Sequence, residues 1–174
     1  MIKVYFCEHN DNTNSHELLF HAVLLHTGRA DFPLRYERTK KPYFDSADAP
    51  KFSISHSGNY WICAMSDEEV GCDLQLHKQY PRYLTVAKRY FHENEIQKLT
   101  LRDDPCTVFF DIWSKKEAIS KLSGEGINRN IKKIDSGNNE AFTKRLILPI
   151  ESPYSAAIAS YSKISDYDIE IVKI

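Results

Sequence analysis

The chain is 174 residues long, 42% hydrophobic and 27% charged, the profile of a folded globular protein and not of a disordered one. With 23 basic against 24 acidic residues and a net charge of −1, it has no overall attraction for nucleic acid or an anionic membrane, so any anion site has to be local. No run approaches the ~20 apolar residues of a membrane span, the amino terminus lacks a charged segment followed by an apolar one, and cytoplasm is the expected location. Cys7, Cys63, Cys72 and Cys106 are dispersed with no CxxC pair, which predicts reduced thiols with neither disulfide nor zinc.

Ile2 to Cys7 is rich in β-formers and predicts an opening strand, closed by the polar cluster Glu8 to Asn14. Ser15 is then expected to cap a helix from His16 to Thr27. Leu18, Leu19, Ala22, Val23 and Leu25 supply its apolar positions and Gly28 its end. His16, His21 and His26 recur every five residues, which scatters them around the helix and speaks against a metal site. Arg35, Arg38, Lys40 and Lys41 precede Pro42, which holds Lys41 in an extended or turn conformation. Such a run is either a phosphate grip or a solvated charge cluster.

Lys51 to Ser55 and Tyr60 to Met65, joined by Ser57-Gly58-Asn59, predict a β-hairpin. Ser55-His56-Ser57 at its bend is either an anion-binding set of hydroxyls and imidazole or simply a polar turn. Val70 to Leu76 reads as a short strand with Asp73 and Gln75 on one side and Cys72, Leu74 and Leu76 on the other. A carboxylate and an amide oxygen two residues apart suit a hard cation such as Mg²⁺ but are too few alone. Glu117 completes the set if its helix packs across this strand.

Pro81 to Leu101 is helical in pattern. Glu95 falls on its apolar stripe, either facing a site or sitting in the first turn of a second helix that starts near His92. The next helix, about Thr107 to Ser123, carries Phe110, Trp113, Glu117 and Lys121 at helical spacing and stops at Gly124 and Gly126. An acid and a base one turn apart behind large aromatics fit the lining of a pocket as well as a solvated ion pair. Beyond a polar connection from Asn128 to Asn139, Arg145 to Ile150, Tyr154 to Ser160 and Tyr167 to Ile174 read as strands. The order predicts an α+β protein of two small packed lobes, residues 1–68 and 69–174, with the acidic cluster between them.

Taken together in order, Lys41-Pro42, Phe52-Ser53-Ile54-Ser55-His56-Ser57, Val70-Gly71-Cys72-Asp73-Leu74-Gln75, Arg89-Tyr90-Phe91 with Glu95 and Leu99, and Trp113-Ser114-Lys115-Lys116-Glu117-Ala118 with Lys121 and Gly124-Glu125-Gly126 resemble the motifs of the 4′-phosphopantetheinyl transferases. The likeness is to the two-lobe, surfactin-synthetase-activating type and spans roughly Lys41 to Ile127. It implies a pseudo-dimer of two similar α+β lobes with the active site in the cleft between them. The implied reaction moves the phosphopantetheine arm of coenzyme A to a serine of an acyl or peptidyl carrier protein and releases adenosine 3′,5′-bisphosphate.

By position, the resemblance gives Lys41, Ser55 and His56 to the nucleotide and its 3′-phosphate, and Asp73, Glu117 and Gln75 to Mg²⁺. Gln75 stands where many members have a second acid, which leaves one ligand neutral. The first helix lacks an early arginine or lysine, so the grip on the 3′-phosphate is expected from Lys40, Lys41 and His56. Either Glu117 or Glu95 takes the serine proton, while Lys121 neutralises the departing phosphate. No nucleic acid or membrane partner is expected, and two lobes in one chain make a monomer sufficient. The competing readings are a non-catalytic coenzyme A or carrier-protein binding module and a metal-dependent phosphohydrolase built on His56 and Asp73.

Overall fold

A computed structural model describes residues 1–10, 13–78, 82–151 and 153–174. The polar cluster expected at Glu8 to Asn14 and the helix start expected at Pro81 therefore lie partly outside the described residues.

The opening strand, β1 (Ile2–Glu8), is the centre of the first half. It pairs antiparallel with β5 (Tyr60–Ser66), which pairs antiparallel with β4 (Lys51–Ser57). The final strand, β9 (Ile169–Lys173), returns to lie parallel on the free side of β1, so the sheet order is β4-β5-β1-β9. The first helix, α1 (Ser15–Thr27), starts at its expected cap, one residue earlier than predicted. Asn14 takes that role, its side-chain oxygen accepting from the His16 N–H at 2.9 Å. Leu19, Ala22 and Val23 of α1 pack on Tyr5, Cys7, Trp61, Cys63 and Met65 and cover one face of this sheet. Leu34–Tyr36 (β2) and Pro42–Phe44 (β3) form a short hairpin, so the segment expected only to be extended or turned carries its own pairing.

The second sheet is β6 (Val70–Leu76), β8 (Tyr154–Ser160) and β7 (Phe142–Leu146), antiparallel throughout in the order β6-β8-β7. Val70, Cys72 and Leu74 alternate toward the first sheet. There they share a core with Ile2, Val4, Phe6, Ile62, Ala64 and Ile158, as the period of two along a strand requires. The long helix α4 (Pro105–Ser123) covers the opposite face, with Ala118, Ile119 and Leu122 against Ala157 and Ala159. The helical stretch before it is two helices, α2 (Tyr83–Tyr90) and α3 (Glu93–Thr100). They are separated by extended backbone at Phe91 and His92, where the His92 imidazole and the Glu95 carboxylate form a reciprocal cap. The fold class is thus α+β, two small sheets back to back between outer helices. All four cysteines are free thiols, and Cys7, Cys63 and Cys72 are buried.

Two features fix the halves against each other. Along β4, the hydroxyls of Ser53, Ser55 and Ser57 accept from the backbone N–H groups of Cys72, Leu74 and Leu76 at 3.0, 3.2 and 2.9 Å. The edge of β6 is thereby satisfied by side chains of the neighbouring sheet. Gly71, on the helix side of β6, lies so close to α4 that a Cβ there would stand 2.0 Å from the Ala118 carbonyl oxygen and 2.7 Å from the Leu122 nitrogen. Replacing Gly71 with Ala must therefore lift α4 off the sheet. We expect Gly71→Ala to cost at least the ~1–3 kcal/mol of an overpacked core. This would lower the thermal midpoint by several degrees, and an unchanged melting curve would contradict the close approach.

Candidate functional site

The strand alternation that sends Cys72 and Leu74 into the shared core turns Asp73 the other way, under α4, where it is only 2% exposed. Three donors meet its carboxylate. Ser55 Oγ donates to Oδ1 at 2.8 Å, Lys121 Nζ donates to the same oxygen at 2.8 Å, and Gln75 Nε2 donates to Oδ2 at 2.8 Å. Lys121 also donates to the Ile54 carbonyl at 3.2 Å, tying α4 to β4.

One turn before Lys121 on the same helix face is Glu117. Burial pushes its carboxyl up to about 7, the negative charge of Asp73 adds to the rise, and Lys121 offsets part of it. Two carboxylates that repel each other beside one ammonium are the electrostatic centre of the site. Among the described residues, no three His, Cys, Asp or Glu side chains gather to hold a metal ion. The candidate set is two carboxylates and the Gln75 amide. Mg²⁺ commonly takes one or two carboxylates and completes its shell with substrate phosphates and water, so a set of two carboxylates and an amide oxygen fits such a cation.

A cleft of about 190 Å³ opens beside this centre, lined by Lys41, Pro42, Phe52, Ile54, Lys121, Gly124 and Gly126 among others. Gly124, at the end of α4, adopts a left-handed conformation at φ 73° and turns the chain so that the next segment forms a wall of the cleft.

The structure separates the sequence-derived candidates. Asp73, Gln75, Glu117 and Lys121 come together. Ser55 and His56 lie within strand β4, not in the turn, which is Gly58-Asn59. Ser55 is buried, and its hydroxyl is committed to Asp73 and the Leu74 N–H. Its place is therefore behind the carboxylate and not against an incoming phosphate. Lys41 lines the cleft, but its ammonium is held by Glu69 at 2.7 Å and by the Leu122 carbonyl at 3.0 Å. Lys40 is exposed, with its backbone at φ 69°.

Glu95 is the clearest departure. It is 1% exposed, paired at 2.8 Å with the fully buried Lys116, and accepts from the backbone N–H groups of His92 and Ser136. With both oxygens engaged inside the helical layer, it fills the first-turn structural role and is not a proton acceptor open to the cleft. Trp113 also leaves the expected row. It stacks on Phe109 and packs against Tyr90 and Phe91, because four-residue steps of 400° drift it about 80° from Lys121 over two steps. Phe110 lies instead against His77, their rings stacked at 5.0 Å.

Comparison with known proteins gives the family. The family model of the 4′-phosphopantetheinyl transferase superfamily matches residues 69–172, which hold Asp73, Gln75, Glu117 and Lys121. The chain belongs to this superfamily. Relatives include a Synechocystis protein described as a 4′-phosphopantetheinyl transferase, 38% identical over 53% of this chain. The 4′-phosphopantetheinyl transferase Sfp of Bacillus subtilis is 31% identical over 58%, and AcpT of Salmonella typhimurium, also a 4′-phosphopantetheinyl transferase, is 35% identical over 59%. These matches take in 39%, 45% and 55% of the three relatives, so the chain spans about half the length of the curated relatives it matches. Within the superfamily it is of the Sfp-like kind.

The raised carboxyl has a sign that can be tested on this transferase-family chain. In the unfolded state Glu117 titrates near its ordinary 4.5, and in the folded state near 7. The stability its proton contributes is complete below pH 4.5 and is lost as pH rises through about 7. In EDTA at pH 8, Glu117→Gln is therefore expected to melt above the parent by roughly 2–4 °C, the effect of about 1 kcal/mol in a chain of this size. The gap should close by pH 5. A gap that is constant with pH would refute the placement of the charge.

Proposed function

We propose that the chain transfers the 4′-phosphopantetheine group of coenzyme A to a serine of an apo acyl or peptidyl carrier protein, giving holo carrier and adenosine 3′,5′-bisphosphate. The observation that carries this reading is the Asp73, Glu117 and Lys121 cluster beside the cleft that Lys121 lines. Binding alone does not need a carboxyl held near neutrality beside a second carboxylate and an ammonium. That requirement favours catalysis over a coenzyme A or carrier-protein binding module of the same fold.

In this reading the nucleotide lies in the cleft beside Ile54 and Gly124, with its pyrophosphate at Lys121. Asp73 and Glu117, with the Gln75 amide, would hold Mg²⁺, which supplies charge neutralisation on the pyrophosphate oxygens when bound. Ser55 fixes the Asp73 carboxylate in place. The carrier serine Oγ attacks the phosphorus that bears the pantetheine. Its proton passes to Glu117, directly or through a water. The bond from that phosphorus to the bridging oxygen breaks, and the electron pair leaves on the 5′-phosphate of the adenosine bisphosphate. Lys121 donates to that oxygen and offsets its new charge. Glu95 has no part in the proton transfer, since Lys116 and two backbone N–H groups already occupy it.

Intact-mass spectrometry of several apo carrier proteins incubated with the chain, coenzyme A and Mg²⁺ tests the proposal. One phosphopantetheine should be gained per carrier, and Glu117→Ala, Asp73→Ala and Lys121→Ala should each lower the rate by about 10²-fold or more. Coenzyme A binding without any mass gain would favour the binding module. A second measurement concerns Gln75, which now donates to Asp73. Gln75→Glu replaces that neutral amide with a third carboxylate and is expected to raise Mg²⁺ affinity, read from the Mg²⁺ dependence of transfer. An unchanged dependence would remove Gln75 from the metal site.

A further inference from the structure

Asp73 is held by three donors, but no hydrogen bond or ion pair reaches the Glu117 carboxyl among the described residues. Its position is therefore set by the helix that carries it. Toward the C-terminal end of α4, Lys121 ties the helix to Asp73 and to the Ile54 carbonyl. Toward the N-terminal end, six residues before Glu117, the tie to the sheet is Asp111.

The strand period of two puts Ser155, Ala157 and Ala159 of β8 on one face, under α4. The two alanines let the helix pack closely, and Ser155 places a hydroxyl in the same row. Ser155 is 1% exposed and pairs in register with Gln75 of β6. Its Oγ donates to Asp111 Oδ1 at 2.5 Å, and Arg145 Nη1 of β7 donates to the other Asp111 oxygen at 3.3 Å. With its proton directed at Asp111, the Ser155 oxygen accepts from His77 Nε2 at 2.8 Å. His77 follows the end of β6, and its ring lies 9° from parallel with that of Phe110 on α4. Strands β6, β7 and β8 and the helix α4 thus meet at one buried hydroxyl.

We propose that Ser155 and Asp111 are positioning residues for the transfer reaction, holding α4 so that the Glu117 carboxyl stands beside Asp73, a reading that rests on the transferase assignment above. Neither lines the cleft given to the nucleotide, and they act through the helix. The lever is short, since Asp111 lies about 9 Å from Glu117 along the helix axis and Lys121 about 6 Å beyond it. Loss of the Ser155 hydroxyl leaves an Asp111 oxygen and the His77 N–H without their partner. The N-terminal half of α4 is then free to shift, while Lys121 keeps the C-terminal half on Asp73. A misplacement of about 1 Å at a reacting group costs up to about 10²-fold in rate. Coenzyme A binding is spared, because its cleft lies at the Lys121 and Gly124 end of α4.

The test follows transfer to an apo carrier protein by intact mass at saturating Mg²⁺, for the parent chain, Ser155→Ala, Asp111→Ala and Asp111→Asn, each first shown to fold by its melting curve. Ser155→Ala and Asp111→Ala are expected to lower kcat about tenfold and to leave KM for coenzyme A within about twofold of the parent. Asp111→Asn keeps an oxygen for the Ser155 hydroxyl and should recover kcat to within about threefold. In a Glu117→Ala background, Ser155→Ala should leave the residual rate unchanged, because the group it positions is gone. An unchanged kcat in Ser155→Ala, or a further loss of about tenfold in the Glu117→Ala background, overturns the positioning role while the transferase reading stands. An Asp111→Asn variant as slow as Asp111→Ala has the same meaning, as does a KM for coenzyme A that rises as far as kcat falls. If the parent modifies no carrier, the transferase reading itself falls and takes the positioning role with it.

Discussion

The arrangement turns on three serine hydroxyls. Ser53, Ser55 and Ser57 stand on one face of β4 and accept the backbone N–H groups of alternate residues in β6. A strand edge left unpaired in a protein interior carries a row of donors that cost free energy unless satisfied. Satisfying them with side chains instead of a backbone ladder keeps the two sheets separate and still fixes their register. Because Asp73 lies between Cys72 and Leu74, its position is set by the same contacts. The middle hydroxyl serves both purposes, accepting from the Leu74 N–H and donating to the Asp73 carboxylate. The alignment of the sheets and the aim of the acid are one constraint.

The long helix is held to this frame at both levels of its chemistry. Gly71 lets its backbone touch the sheet, and Lys116 buries its ammonium against Glu95 and the carbonyls of Ile131 and Ile134. Removing one partner of such a buried pair typically costs about 3–5 kcal/mol. The KKE run in the middle of α4 thus divides its work. Lys116 points inward and anchors α3 and the segment that follows α4, while Glu117, one residue on and about 100° around the helix, faces Asp73.

Much of this was legible in the residues. The strand limits of β6 and β8, the hairpin of β4 and β5, and the α4 stop at Gly124 follow from alternation and turn chemistry, which act over a few residues. Glu117 and Lys121 stood out because an acid and a base share the helix row of large aromatics, and Asp73 because it lies with Gln75 on the polar side of a short strand. What escaped depends on contacts between residues far apart in sequence. Alternate serines in β4 look like an ordinary polar face until the edge of β6 is laid against them. Lys41 reads as a phosphate grip until Glu69 and the Leu122 carbonyl are seen around it. The break between α2 and α3 was available as one of two readings of Glu95, and only its cap with His92 decides between them. Nothing in the sequence brings Asp111 to Ser155, 44 residues later, because their bond depends on α4 lying over β8.

The last strand returns to the first. Ile2 pairs with Ile169 and Phe6 with Lys173, so the sheet of the first half is finished by the end of the second. Loop-closure entropy and the correlation of folding rate with sequence separation make a parallel pairing of this span one of the slower contacts to form. During synthesis β1 leaves the ribosome before β9 and waits with one edge open until residues 169–173 follow. Residues 1–68 by themselves lack that bordering strand, as they lack the β6 edge that Ser53, Ser55 and Ser57 satisfy. The two halves that meet at the cleft are therefore partners in folding, and the first becomes complete only when the second has been made.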